Sequence, residues 1–153
     1  MWTKQQSLRL SINVVRILKL FILVLCFCVP AMGRWYDTTD TDGIGLIQGS
    51  VFLPLTICLY AAAVCGEVCL WFLGKLLGNI GKGIVFTAEN CQYLRFISWC
   101  CFAAAIPFTI LGCWRFLSFV IAMAAGFFGL ILHVLKNVFD KAVELQDEND
   151  YTI

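Results

Sequence analysis

The sequence predicts an all-α integral membrane protein: four transmembrane helices, both termini in the cytoplasm, and a cytoplasmic amphipathic helical extension at the C-terminus. Three observations predict it. Four apolar stretches, at about residues 12–32, 51–73, 96–113 and 117–135, each approach the roughly 17–25 residues that cross a hydrocarbon core. Hydrophobic residues make up 61% of the chain and charged ones 14%, with a mean hydropathy of +0.86, a balance foreign to soluble domains. Nine of the eleven Lys and Arg residues fall on one side of the resulting topology, which the positive-inside rule assigns to the cytoplasm.

The segments between spans are short. None reaches the roughly 40 residues below which a soluble core usually needs disulfides, metals or partners. The 153 residues are therefore expected to form a single four-helix membrane domain. The basic head carries Lys4, Arg9, Arg16 and Lys19 into the first span. A cleaved signal peptide is the rival reading of this head, with the small-x-small triplet Ala31-Met32-Gly33 as its site. Retention is expected instead, because removal would leave three spans and forfeit the match between the basic head and the other inner loops. The first outer loop follows, with Asp37, Asp40 and Asp42 against Arg34. Trp35, Tyr36 and Trp114 read as outer-interface anchors and Tyr93 as an inner one.

The second span contains Glu67, a carboxylate about 9 Å inside its inner edge at 1.5 Å per residue. Intramembrane carboxylates are costly and face a partner or a wet cavity. Lys19 enters the first span at a similar depth, so an antiparallel hairpin would pair Lys19 with Glu67. Protonated Glu67, or a Glu67 that couples protons or cations to transport, are the alternatives. In the inner connector, Gly78, Gly81 and Gly83 are expected to end the second helix. Thr87 is the expected N-cap of the third, with Glu89 at its positive end. Pro107 should kink the third span. Small residues, Ala62 with Gly66, the run 103–105, Ala122 with Gly126 and Ala125 with Gly129, predict close packing into a four-helix bundle.

Beyond the fourth span, Leu135, Val138, Phe139, Ala142, Val143 and Leu145 form an apolar stripe at helical spacing, with Lys136, Asp140, Lys141 and Glu144 away from it. The stripe either folds back on the inner connector near Phe86 or receives a soluble partner. The acidic run Asp147-Glu148-Asn149-Asp150 is expected to end this helix.

Several classes of function are disfavoured. A net charge of +1 without a Lys/Arg block gives no field for direct nucleic-acid binding. Nine cysteines contain no C-x-x-C pair, and there is one histidine, His133, so they read as small apolar residues rather than metal ligands. No convergent nucleophile, base and orienting group is visible, so no enzyme activity, metal or cofactor is expected.

Residues 82–90, Lys-Gly-Ile-Val-Phe-Thr-Ala-Glu-Asn, and Leu94-Arg95-Phe96-Ile97-Ser98 resemble the inner-loop signature of the bacterial membrane family known as domain of unknown function 2975. The tail from Phe139 to Ile153 is similar to that family's C-terminal signature, and the resemblance extends over nearly the whole chain. Val85 stands where the family often has proline, and Tyr151 where it usually has an aliphatic residue. The resemblance implies an uncharacterised protein of the bacterial cell membrane, often encoded beside a small helix–turn–helix regulator. Expected partners are the lipid bilayer, from the spans, such a cytoplasmic regulator, from the resemblance, and further copies of the chain, which four spans would need to form a substrate pathway. Phe86, Glu89, Asn90, Phe139, Val143, Glu148, Asn149 and Asp150 are the expected docking residues of a membrane anchor or sensor. The alternative is a small transporter or channel subunit that uses Glu67.

Overall fold

A computed structural model describes residues 4–39, 45–47 and 49–150; the side chains of residues 4, 5, 147, 149 and 150 lie outside the description. Asp40, Asp42 and residues 151–153 fall outside it as well. Four helices follow in order: α1 (Lys4–Thr39), α2 (Phe52–Gly81), α3 (Ala88–Leu111) and α4 (Leu117–Asp150). Each is long and apolar enough to cross a membrane. The four predicted spans fall on the four helices, with only Val51, Gly112 and Cys113 at their edges outside, and each helix runs beyond its span at one or both ends.

These extensions have local causes. α2 continues through Gly78 because the helix is stopped one turn later, at Gly83, whose φ of +79° only glycine adopts readily. The Gly83 amide donates to Ile80 O (3.0 Å) and the Ile84 amide to Asn79 O (3.0 Å), the two bonds of a Schellman cap. Thr87 caps α3 as expected, its Oγ1 accepting from the Asn90 amide at 3.4 Å. The acidic run is itself helical: α4 runs through it to Asp150, the last residue described. Lys136–Asp140 and Lys141–Glu144 ion pairs (the latter 2.6 Å) set opposite charges one turn apart along this stretch. α3 runs unbroken through Pro107.

Packing is serial. α1 packs on α2, α2 on α3 and α3 on α4, and no other pair of helices comes into backbone contact among the described residues. The expected bundle is thus open rather than closed. Its surface shows this: 10640 Å² is exposed, against about 7,800 Å² for a compact chain of this mass. Small residues mark the close approaches. Gly129 lies so near the Phe102 ring that a Cβ would sit 3.1 Å from it, and Ser98, fully buried, donates Oγ to Gly129 O at 2.8 Å. Such interhelical bonds contribute about 0.6–2 kcal/mol in hydrocarbon. On the other flank, Gly66, Gly74 and Gly81 meet Ile22, Val15 and Leu8 of α1. Gly126, in contrast, faces open space.

The two ends differ. At the far end the α1–α2 loop lies across the α3–α4 turn: Leu46 and Ile47 amides both donate to Cys113 O (2.8 and 3.0 Å). Asp37 caps α2 from a distance, accepting from the Val51 amide (2.7 Å) and Ser50 Oγ (2.9 Å). Those two bonds hold its carboxyl below the usual aspartate range. Arg115 stacks on Tyr36 at 5.9 Å. The opposite end carries the start of α1, the end of α4 and the α2–α3 connector.

Candidate functional site

The connector is organised by Asn90. Its side chain is completely buried and every polar atom of it is engaged. Nδ2 donates to Ile84 O (2.9 Å) and Val85 O (2.8 Å), and Oδ1 accepts from Asn79 Nδ2 (2.9 Å). Asn90 therefore shapes the loop, and its own side chain is withdrawn from the surface. Sequence reasoning missed Asn79, which reads there as one more residue of a glycine-rich helix end.

The loop so shaped presents Phe86 outward, against Phe139 of α4, with ring centroids 5.4 Å apart. The tail thus meets the connector near Phe86, as one of the two placements expected for its stripe has it, but as a straight continuation of α4 rather than a fold-back. Phe139 also packs, with Leu132, on the core of Leu76, Leu94 and Ile97. Val143 is half-buried on the same face, whereas Leu135, Val138 and Leu145 stay exposed. Beside the aromatic contact lies a groove of about 450 Å³ lined by residues 83–87 and Gln146. Ile84 and Phe86 are exposed at it.

Around this end runs a belt of cations and rings. Lys75 Nζ sits 5.9 Å from the Trp71 ring and 5.7 Å from Tyr93. The Tyr93 hydroxyl donates to Glu89, and that hydrogen bond with the carboxylate raises the tyrosine above its ordinary pKa. Glu89 is exposed but committed to this bond. Glu148 is exposed on α4, and the side chains of Asn149 and Asp150 lie outside the described residues.

The Lys19–Glu67 pair is not formed. Lys19 reaches instead towards the membrane edge, with Nζ 5.5 Å from the Trp71 ring, one turn beyond Glu67. A long amphipathic side chain gains more by snorkelling to an interfacial aromatic than by turning inward. Glu67 Oε1 is left buried and, among the described residues, without a hydrogen-bond partner. Between α1 and α2 nearer the far end, an apolar cleft of about 230 Å³ is lined by residues such as Ile22, Cys26, Val29, Leu59 and Ala62. Cys91, outside the hydrocarbon, is buried, which pushes its thiol up to about 11. No three His, Cys, Asp or Glu side chains converge as metal ligands among the described residues.

The class defined by this architecture is an all-α, multi-pass membrane protein with a shaped loop and a helical tail at one end. The chain belongs to the family described as Protein of unknown function (DUF2975), which it matches over residues 39–153. The match takes in α2, α3, α4 and their connections and leaves α1 outside except for its last residue, so it is narrower than the near-complete resemblance expected. No curated protein and no solved structure matches the chain.

Proposed function

We propose that this protein is a bacterial plasma-membrane anchor or sensor, with both termini in the cytoplasm, that holds a soluble helix–turn–helix regulator and carries out no catalysis itself. One observation supports the reading above others: the Phe86–Phe139 contact builds an open groove from loop and tail just outside the apolar spans. Its floor combines exposed Ile84 and Phe86 with loop backbone, a surface that takes an apolar anchor residue and orients it. Acidic Glu144 and Glu148 on the exposed tail suit a basic DNA-binding partner. The orientation rests on the nine basic residues gathered at this end.

The test is co-purification from native membranes with wild type, Ile84→Ser and a truncation after Lys136. A regulator retained by wild type and lost from both variants is the expected result. Equal retention by all three would overturn the reading.

One observation favours a second reading. The orphaned Glu67 Oε1 is the arrangement expected of a carboxylate that carries a proton or cation within a small transporter or channel subunit. Proton flux in proteoliposomes that vanishes in Glu67→Gln would support it; equal flux in both would remove it.

A further inference from the structure

The apolar stripe of α4 is wider than the surface that covers it. Written as a heptad, the helix carries two parallel seams. The inner one, Ser118, Ala122, Ala125, Gly129, Leu132, Lys136, Phe139 and Val143, steps by four and three residues and faces the rest of the molecule. The outer one takes Leu117, Ala124, Ile131, Val138 and Leu145 at d and Ile121, Phe128, Leu135 and Ala142 at a. Eight of these nine are exposed, Ala142 being half-buried, and the phase is unbroken over 28 residues, about 42 Å of helix.

Lipid accounts for the outer seam only within the span. Up to Leu135 the neighbouring c and g positions are apolar too: Phe116, Val120, Met123, Phe127, Leu130 and Val134. Past that point they become Asn137, Lys141, Glu144 and Glu148, while a and d remain Leu135, Val138, Ala142 and Leu145. Leu135, Val138 and Leu145 are 42%, 59% and 63% exposed. Leu145 stands about 15 Å beyond Leu135 along the axis, out of reach of the acyl chains. The charged residues of the tail occupy b, c, f and g only, and the heptad sets Asn149 at the next a position. A single Asn at a is the device that fixes register and strand number in a parallel two-stranded coil.

We infer that a second copy of this chain packs on α4 along this seam, as a parallel left-handed coiled coil running from the membrane into the tail. A soluble partner is excluded from the hydrocarbon half of a seam that keeps one phase across the boundary. Two copies in one membrane necessarily present α4 in the same direction, which is the parallel arrangement Asn149 specifies. α1 of the same chain does not reach α4, so the flank is open to a neighbour. The inner seam and the groove are untouched, so dimerisation is independent of regulator binding.

The experiment uses the purified full chain in nanodiscs or native membranes, with no regulator present. A photo-crosslinking residue at Val138 or Leu145 is expected to give a covalent species of twice 17.2 kDa, and the same residue at Asn137 or Glu144 little of it. Val138→Glu combined with Leu145→Glu should abolish the dimer while leaving helix content unchanged, since both side chains are exposed in the single chain. Asn149→Leu should broaden the population to larger species. A wild type that remains monomeric in lipid, crosslinking equal from c and d positions, or adducts only of another mass would overturn the inference.

Discussion

At the residue scale, the connector end depends on one buried side chain. Asn90 lies in the family-like loop, where full burial and three side-chain hydrogen bonds make it an internal strut. Asn90→Ala would leave two loop carbonyls and the Asn79 amide unpaired at a dry site. The expected loss is about 2–4 kcal/mol in unfolding measured in detergent, and Asn90→Asp should not rescue it, because a carboxylate cannot donate to Ile84 and Val85. Glu67 makes a second case. Its depth was legible from the sequence; its partner was not, because the reach and rotamer of Lys19 decide between a carboxylate and an interfacial ring. Since Lys19 lies over Trp71, a double-mutant cycle of Lys19→Gln and Glu67→Gln should be additive within about 0.5 kcal/mol. Coupling above 1 kcal/mol would restore the ion pair.

At the element scale, hydropathy located every helix and caps explain where they differ. Thr87 was readable as an N-cap because its hydroxyl precedes an apolar run. The glycine-rich connector was readable as the end of α2; which of its three glycines does the work was not, and only Gly83 has the left-handed backbone that stops a helix. The α4 tail is helical as far as Asp150, at the end of its acidic run, with intrahelical ion pairs and the Phe86 contact supporting the stretch before that run. The loop laid on the α3–α4 turn left no sequence signal, since backbone groups make its bonds. It has a sharp test nonetheless. A Cβ on Gly45 would fall 1.9 Å from the Trp114 carbonyl oxygen, backbone against backbone. Gly45→Ala should cost about 1–3 kcal/mol through displaced loop packing. Gly126→Ala, facing open space, should instead stabilise by about 0.5–1 kcal/mol. Thermal unfolding of the two variants side by side decides it.

At the scale of the whole molecule, small-residue faces foretold close helix approach but not which helices approach. Ala122 and Gly129 serve the α3–α4 contact, while Gly66 serves α1, so the helices join in a series with two free flanks. Spacing alone cannot distinguish that from a closed bundle, because each small-residue face is compatible with any neighbour. The open series predicts that spin labels at Asn13 on α1 and Asn137 on α4 lie well beyond the roughly 8–10 Å that separates packed helices. A distance distribution centred at that spacing would show a closed bundle instead. In the dimer inferred above, distances between copies would add a separate component, removable by dilution with unlabelled chain.

Serial packing also orders the making of the protein. Each helix needs only the one synthesised just before it, so a chain emerging from the ribosome can complete α1 on α2, then α3, then α4, without waiting for distant sequence. The conspicuous exception is the loop at residues 45–47, whose acceptor, Cys113, is made nearly seventy residues later. That contact is a latch shut after the third helix is in place. A nascent chain stalled before Cys113 should therefore hold its helices in order while its first loop is still open to a protease or a thiol reagent.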